Sequence, residues 1–521
     1  MSSKKSYNNQ FILQHNEKPG VANSCFVSWF VILTFVLTLL LVCLDSSTYN
    51  VSYFTNVSIF NLNTSITTST STISIPNSVV KNKNDCVGKY IYIQDLPSKF
   101  NYDLLENCST LLPWASMCNS LVNSGFGPRL NESSDQKVFS NSSWFNTNQF
   151  SLEVIFHTRM KQYRCLTNDS SKATAIFVPF YAGLEVGRHL WINNSSIKDS
   201  ISIEMAKYIK EKPEWNKMNG RDHFLVIGRI TWDFRRESNK DDDWGNRLFF
   251  LPEVKNMTSL IIESSPWSNS DFAVPYPTYF HPSNDQEIFN WQENMRKVRR
   301  KFLFSFVGAP RPQFQDSIRN EIINQCLNSK NNHCKFMKCE EKLNNCEKPR
   351  NVMKLFQRSV FCLQPPGDSY TRRSAFDSIL AGCIPVFFHP ASAYVQYTWH
   401  LPKEYIKYSV FIPMEDVKKG NCSIEERLLK ISEAEIEEMR EEVIKLIPNV
   451  VYASPEYELE SYEDAFDVSI KEVLKRVENI KMTIKERINS SYGNFPEDLS
   501  WKYNFFGELE NHEWDSYFVK S

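Results

Sequence analysis

The stretch 359–389, SVFCLQPPGDSYTRRSAFDSILAGCIPVFFH, constrains the fold more than any other part of the chain. Val360 to Leu363 is a short apolar run, the mark of a strand buried on both faces. Pro365 and Pro366 lack N–H donors for a ladder, and Gly367 opens a turn. Asp368, Ser369 or Thr371 is placed to cap the helix that follows. Phe376, Ile379 and Leu380 stand at i, i+3, i+4, a helix's apolar stripe, and Gly382 stands where a helix stops. Residues 383–388, CIPVFF, read as a second buried strand. Strand, helix and strand in this order form a βαβ unit, and such units build parallel sheets.

The turn in this unit carries chemistry. Free N–H groups and the dipole at a helix N-terminus favour an anion. Arg372 and Arg373 add permanent charge in a fork that matches phosphate. Ser374 stands beside them in the first turn. Asp377, one turn beyond Arg373, is placed to accept hydrogen bonds from ribose or sugar hydroxyls. The competing reading makes both arginines solvated cations of a helix surface. Their place directly after a strand and a Pro-Pro-Gly-Asp turn favours phosphate.

The rest of the chain alternates strand and helix patterns. Strands are expected at 90–93, 173–180, 223–230 and 302–307, and helices at 150–165, 286–300, 315–326, 424–446 and 462–488. In open α/β sheets ligands bind beyond the carboxyl ends of the strands. Glu185 follows the strand 173–180, and Asp233 follows 223–230, so either could act as a base. His157, His189 and His223 compete for that role, although a lone histidine near an apolar strand is more often structural. After 302–307, Gly308 lets the backbone approach a ligand and Arg311 can reach a phosphate. The Pro- and aromatic-rich segment 264–282 links the two halves. Its Trp267, Tyr276 and Tyr279 either line a sugar cleft or pack a core. Two doubly wound α/β domains facing a cleft follow from this alternation.

The stretch 365–388 resembles the nucleotide-sugar motif of the exostosin-like glycosyltransferases, family 47. FVPFYAGLEVGRHLW (177–191), GRDHFLVIGRITWDFRR (220–236), PYPTYFHP (275–282) and FSFVGAPRP (304–312) resemble its plant branch, the xyloglucan galactosyltransferases. The resemblance runs from about Cys86 to the C-terminus. It implies a GT-B architecture and inverting transfer of galactose from UDP-galactose to xylose side chains of xyloglucan. Such a displacement needs a base for the acceptor hydroxyl, a cleft that aligns two substrates, and stabilisation of the leaving diphosphate. Glu185, then Asp233, is expected as the base. Arg372, Arg373 and the helix N-terminus are expected at the diphosphate, with Gly308, Arg311, Ser374 and Asp377 completing the donor site. Arginines can do this without a metal, so no cofactor is expected. The Asp241-Asp242-Asp243 run could be a metal-binding Asp-x-Asp motif, but its polar surroundings favour a solvated loop. Two alternatives remain: a related enzyme using UDP-galacturonic acid or UDP-arabinopyranose, and a non-catalytic scaffold partnered with other glycosyltransferases.

The N-terminal region bears on compartment. Residues 25–44, CFVSWFVILTFVLTLLLVCL, carry no charge, and a helix of this length spans about 30 Å, one bilayer core. Lys4, Lys5 and Lys18 precede it, and the next lysine is Lys81. The positive-inside rule then gives a cytosolic tail (1–24), a type II signal anchor (25–44) and a lumenal remainder. Residues 45–85 are rich in Ser, Thr and Asn and read as a flexible stem. Three further regions are expected: an acceptor-side domain (86–290), a nucleotide-sugar domain (291–455) and helices crossing back to the first domain (456–521). Golgi residence follows from the resemblance, and a dozen N-x-S/T sequons suit it. Eleven of thirteen cysteines lie beyond the apolar span. An oxidising lumen permits disulfides, and the absence of C-x-x-C spacing disfavours zinc. The odd count leaves at least one thiol over, and Cys362 and Cys383, on buried strands, are expected to be apolar fillers. A net charge of −1 gives no pull toward nucleic acid or an acidic polymer.

Overall fold

Apolar runs bounded by turn residues become strands buried on both faces. The computed structural model describes residues 86–130, 138–140, 142–314, 317–340, 345–489 and 514–518. The expected tail, anchor and stem fall outside these residues. Among the described residues no helix is long and apolar enough to cross a membrane. The first sheet contains β1 (Ile91–Ile93), β2 (Ala175–Phe177), β3 (His223–Ile230), β4 (Thr258–Glu263) and β5 (Asp271–Ala273), side by side in chain order and all parallel. Helices α1 (Leu152–Lys161), α2 (Ala182–His189) and α3 (Ser195–Lys210) connect its strands. The two-residue period of β3 divides its core. Phe224 and Val226 pack with Leu152, Ile155 and Phe156 of α1, whereas Leu225 and Ile227 pack with Met205 and Ile209 of α3.

The second sheet begins after α4 (Asp285–Lys297) and contains β6 (Phe302–Gly308), β7 (Cys334–Lys338), β8 (Ser359–Gln364), β9 (Ile384–Phe387) and β10 (Val410–Phe411). All pairs are parallel, in the order β7-β6-β8-β9-β10. Helix α5 (Ile318–Leu327) follows β6, α6 (Pro349–Gln357) precedes β8 and α7 (Arg373–Leu380) joins β8 to β9. Phe361 and Leu363 of β8 share a core with Ile318 and Ile322 of α5, while Cys362 turns toward Met353 and Phe356 of α6. The chain therefore steps from β6 to β7 on one side, then returns to place β8 on the other. A ligand crevice lies at such a reversal, beyond the carboxyl ends of the two flanking strands. Two parallel sheets of this kind give the α/β, GT-B type architecture expected.

The expected helix 424–446 is two pieces, Ile424–Leu429 and α8 (Glu433–Lys445). Ser432 explains the break. Its hydroxyl and the Glu435 side chain form a reciprocal capping box that starts α8 afresh. The long helix α9 (Ala465–Asn489) returns to the first sheet. Phe466 meets Phe156 at 4.7 Å between ring centroids, and Lys481 Nζ donates to the Thr174 carbonyl (3.3 Å).

Five disulfides join Cys86 to Cys165, Cys108 to Cys118, Cys326 to Cys334, Cys339 to Cys346 and Cys362 to Cys383. Cys422 is the free thiol among the described residues. Cys362 and Cys383 are thus bonded rather than the inert fillers expected. Cys362 lies on β8 and Cys383 directly precedes its neighbour β9, which brings the Cα atoms to 5.9 Å, within bridging range. Replacing both by Ala is expected to cost about 3 kcal/mol of stability by the loop-closure argument. A thermal unfolding curve that does not move would show that this bond contributes nothing.

Candidate active site

The carboxyl ends of the two sheets meet. β4 ends at Glu263, whose carboxylate reaches across to the loop after β8. It accepts hydrogen bonds from Ser369 Oγ (2.6 Å), Thr371 N (2.8 Å) and Thr371 Oγ1 (2.5 Å). From its own side it accepts the Trp232 indole Nε1–H (2.7 Å). Ser369 and Thr371 therefore serve Glu263, not the helix start. Arg372 is the N-cap of α7, with no side-chain cap bond. Beside this contact Gln396 grips Ser264, accepting from its N–H (2.9 Å) and hydroxyl (2.7 Å) and donating to its carbonyl (2.9 Å).

Three arginines converge at the reversal between β6 and β8. A Cβ added to Gly367 would lie 0.9 Å from Arg372 Nη2 and 2.6 Å from Arg319 Nη2. A side chain at 367 would push these two guanidinium groups from where they lie. Arg311, in the turn after β6, pairs with Asp368 in the turn after β8. The Nε atoms of Arg319 and Arg372 are buried without a hydrogen-bonding partner. Buried polar atoms are seldom left so, and each has donors to offer a ligand. Burial, then the adjacent Arg311, push the Arg372 guanidinium down to about 10. It stays charged at neutral pH. An anion held here would relieve both the repulsion and the desolvation. The N-terminal turn of α5, which carries Arg319, follows β6, and that of α7 follows β8, so two helix dipoles add to the positive potential. Gly308 closes β6, where a Cβ would meet the Phe306 ring at 2.6 Å. Packing within β6 is thus reason enough for that glycine.

The remaining donor-motif residues sit one turn further on. Arg373 Nη1 donates to the Thr147 carbonyl (2.6 Å), and its guanidinium lies 3.6 Å above the Tyr279 ring. Its Nε is 3.4 Å from Asp377 Oδ2. Arg373 Nη2 and Asp377 Oδ1 are buried without a hydrogen-bonding partner. Burial, opposed by Arg373, raises the Asp377 carboxyl to about 6. Ser374 Oγ donates to Gln364 Oε1 (2.6 Å), at the end of β8. Tyr276 and Tyr279 do touch this motif: the Tyr276 hydroxyl shares a hydrogen bond with Thr371 Oγ1 (3.1 Å). Trp267 belongs to a neighbouring aromatic group with Trp232, Tyr370 and Phe518.

Both candidate bases are buried beside cations. Asp233 follows β3, accepts from Trp244 Nε1 (2.7 Å) and lies 3.5 Å from Arg229 Nη1. Burial raises its pKa, against the pull of Arg229 and Trp244. Glu185 pairs with Arg188 (3.2 Å) and His189 (3.1 Å), both on its own helix α2. The N-terminus of α2 is capped by Glu153, which accepts from Gly183 N (2.5 Å) and Leu184 N (3.1 Å). Gly183 is needed for that approach, since a Cβ would sit 2.9 Å from Glu153 Oε1. His157 is structural: its Nδ1 meets the Tyr181 hydroxyl (2.8 Å), and burial pushes it down to about 3. His223 pairs with Asp222 (2.8 Å) inside the first sheet. The Asp run serves α3: Asp241 accepts from Ser195 N (2.8 Å), and Lys198 Nζ donates to the Asp243 carbonyl (2.7 Å). Glu263 and Arg319 had escaped the sequence reading. Glu263 closes the apolar run 258–263, which was not read as a strand. Arg319 sits in the first turn of a helix read only for its position.

Two parallel sheets meeting at their carboxyl ends, with three arginines at the reversal point, form the two-domain arrangement of GT-B glycosyltransferases. The Exostosin GT47 domain matches residues 85–428, and the chain belongs to that family. It is 55% identical over 446 residues to the xyloglucan galactosyltransferase MUR3 of Arabidopsis thaliana, covering 85% of this chain and 71% of that one. The probable xyloglucan galactosyltransferase GT12 of the same plant is 50% identical, covering 80% of this chain and 82% of that one. A xyloglucan-specific galacturonosyltransferase, also from Arabidopsis thaliana, is 44% identical, covering 76% of this chain and 58% of that one.

Two outcomes are expected at the donor site. Arg319→Ala and Arg372→Ala should each weaken binding of the sugar donor by about 2 kcal/mol, the contribution of a charged hydrogen bond; calorimetric affinities equal to wild type would remove these arginines from the site. Asp377 has a raised folded pKa, so it loses its charge as pH falls through about 6. The KM for the sugar donor should therefore rise below that pH. Asp377→Asn should abolish this limb while leaving the melting temperature at pH 7 no lower, because ionising Asp377 costs the fold stability there.

Proposed function

We propose that this chain transfers galactose from UDP-galactose, with inversion, to xylose side chains of xyloglucan. The observation that carries the reading is the convergence of Arg319 and Arg372 on Gly367, with Arg311 beside them on Asp368, in a chain 55% identical to a xyloglucan galactosyltransferase. The diphosphate rests against these guanidinium groups and the N-terminal turns of α5 and α7. Asp377 and Ser374 face the nucleoside, and Arg373 joins the donor helix to the wall made by Thr147 and Tyr279. Arginine charge offsets the charge developing on the leaving group, so no metal is required. An acceptor hydroxyl attacks the anomeric carbon from the opposite face. Asp233 takes its proton: it follows Trp232, which touches the junction, and burial raises its basicity. Glu185, tied to Arg188 and His189 of its own helix, is the second candidate. The catalytic region faces the Golgi lumen behind a type II anchor, a reading supported by the uncharged span 25–44 and by five disulfides.

The test is a panel of UDP-sugars with xyloglucan oligosaccharides, with and without EDTA, followed by released UDP and product mass. Galactose-dependent mass gain that survives EDTA is expected. Turnover confined to UDP-galacturonic acid or UDP-arabinopyranose would replace the donor. Failure to bind UDP would replace catalysis by a scaffold role among other glycosyltransferases. Asp233→Asn should lower kcat about 100-fold, within the range for loss of a general base, with donor KM unchanged. A larger loss in Glu185→Gln than in Asp233→Asn would exchange the two roles.

A further inference from the structure

Glu263 is fully buried at the seam of the two halves and belongs to neither the donor motif nor the candidate bases. Its burial pushes its carboxyl pKa up, while the bonds from Ser369, Thr371 and Trp232 pull it down. A carboxylate offers about four lone-pair sites on two oxygens. Oε2 accepts from Ser369 Oγ, Thr371 N and Thr371 Oγ1. Oε1 accepts from Trp232 Nε1 at 2.7 Å and lies 3.4 Å from Tyr370 N. Its accepting capacity is filled, so it has no lone pair left for an acceptor proton and cannot be the base.

What these donors are attached to gives the group its meaning. Trp232 stands in the turn 231–234 at the end of β3, next to Asp233. Ser369, Tyr370 and Thr371 lie in the turn that runs directly into Arg372 and Arg373. One carboxylate thus ties the turn bearing a candidate base to the loop bearing the donor arginines. Resting on the transferase reading above, we propose that Glu263 is a positioning residue that sets the register between the acceptor half and the diphosphate-binding loop. Thr371 Oγ1 donates to Glu263 and so is left to accept from the Tyr276 hydroxyl, which extends the same network to the linker between the halves. Displacing this loop moves Arg372, whose guanidinium rests on Gly367.

The test compares wild type, Glu263→Gln and Trp232→Phe in the full chain, with melting temperature, kcat, and KM for donor and acceptor measured separately. A Gln amide points an N–H₂ group at donors that need an acceptor, so the loop loses at least one charged hydrogen bond. Glu263→Gln should raise donor KM about tenfold or more, as removal of a hydrogen bond to a charged group does, and should leave acceptor KM unchanged. Trp232→Phe removes one donor while keeping both carboxylate oxygens, and should raise donor KM in the same direction by less. A purely structural role would shrink the active fraction, lowering kcat and melting temperature with both KM values intact; that result in both variants overturns the proposal. If Glu263→Gln fails to fold, Trp232→Phe decides alone, and an unchanged donor KM there refutes it. The readout is the shift in KM for whichever UDP-sugar the wild type turns over, so a different donor sugar would correct the proposed function and leave this test standing.

Discussion

Guanidinium groups taken out of water need compensation, and the second half of the molecule is arranged around three of them. A parallel sheet with its order reversed between β6 and β8 opens a crevice at the carboxyl ends of those two strands. Two helices begin there, and their first turns carry Arg319 and the pair Arg372 and Arg373. Helix dipoles make that spot more positive still. Asp368 pairs with Arg311, and Asp377 stands behind Arg373. The Nε atoms of Arg319 and Arg372 meet no acceptor among the described residues. The diphosphate of the proposed donor has the charge and oxygens to meet such a cluster.

The βαβ unit at 359–389 was legible because its signals are local. Apolar runs, the Pro-Pro-Gly turn, an i, i+3, i+4 stripe and a terminal glycine all lie within thirty-one residues. β3 emerged with the expected bounds, His223–Ile230, since eight residues are enough to set a pattern. β10, with two residues, is too short to leave one. The donor loop was legible in composition and misread in detail. Ser369 and Thr371 have the chemistry of helix caps, and nothing local reveals a carboxylate arriving from residue 263. The same holds for Cys362 and Cys383: a buried strand predicts burial, while the bond depends on strand adjacency. Arg319 was hidden for a related reason, because its partner Gly367 lies far along the chain.

Charge in the first half follows a different rule. Glu153, Arg229 and Asp233 are all buried, and each leans on the next. Glu153 holds the N–H groups that start α2, Arg229 Nε donates to the Gly183 carbonyl (3.1 Å), and Arg229 Nη1 reaches Asp233. Burial raises Glu153 to about 7, so this row holds carboxyls whose charge is not secured by water. Breaking one member leaves another unpaired in a low-dielectric setting, which costs more than the bond itself. Such a row keeps the end of β3 stiff. It also fixes where Asp233, the proposed base, can be.

Alignment across the cleft is then set by contacts that are each short and cooperative. Gln396 grips Ser264 with three hydrogen bonds. The Tyr397 hydroxyl donates to the Ile262 carbonyl, and that of Tyr452 to the Pro275 carbonyl, each at 2.8 Å. α9 returns from the second half to lie on the first sheet, where Arg476 Nε donates to Thr258 Oγ1 (3.2 Å). These links run along both flanks of Glu263 and reach the back of β4. Two substrates bound to such a frame lose their relative freedom on binding rather than at the moment of reaction, and an orientation effect of this kind can supply about 7–11 kcal/mol of a barrier. A hinge at the seam would forfeit that advantage. The polar atoms here are arranged against one, because opening the cleft would strip the Glu263 carboxylate of its partners on the second half.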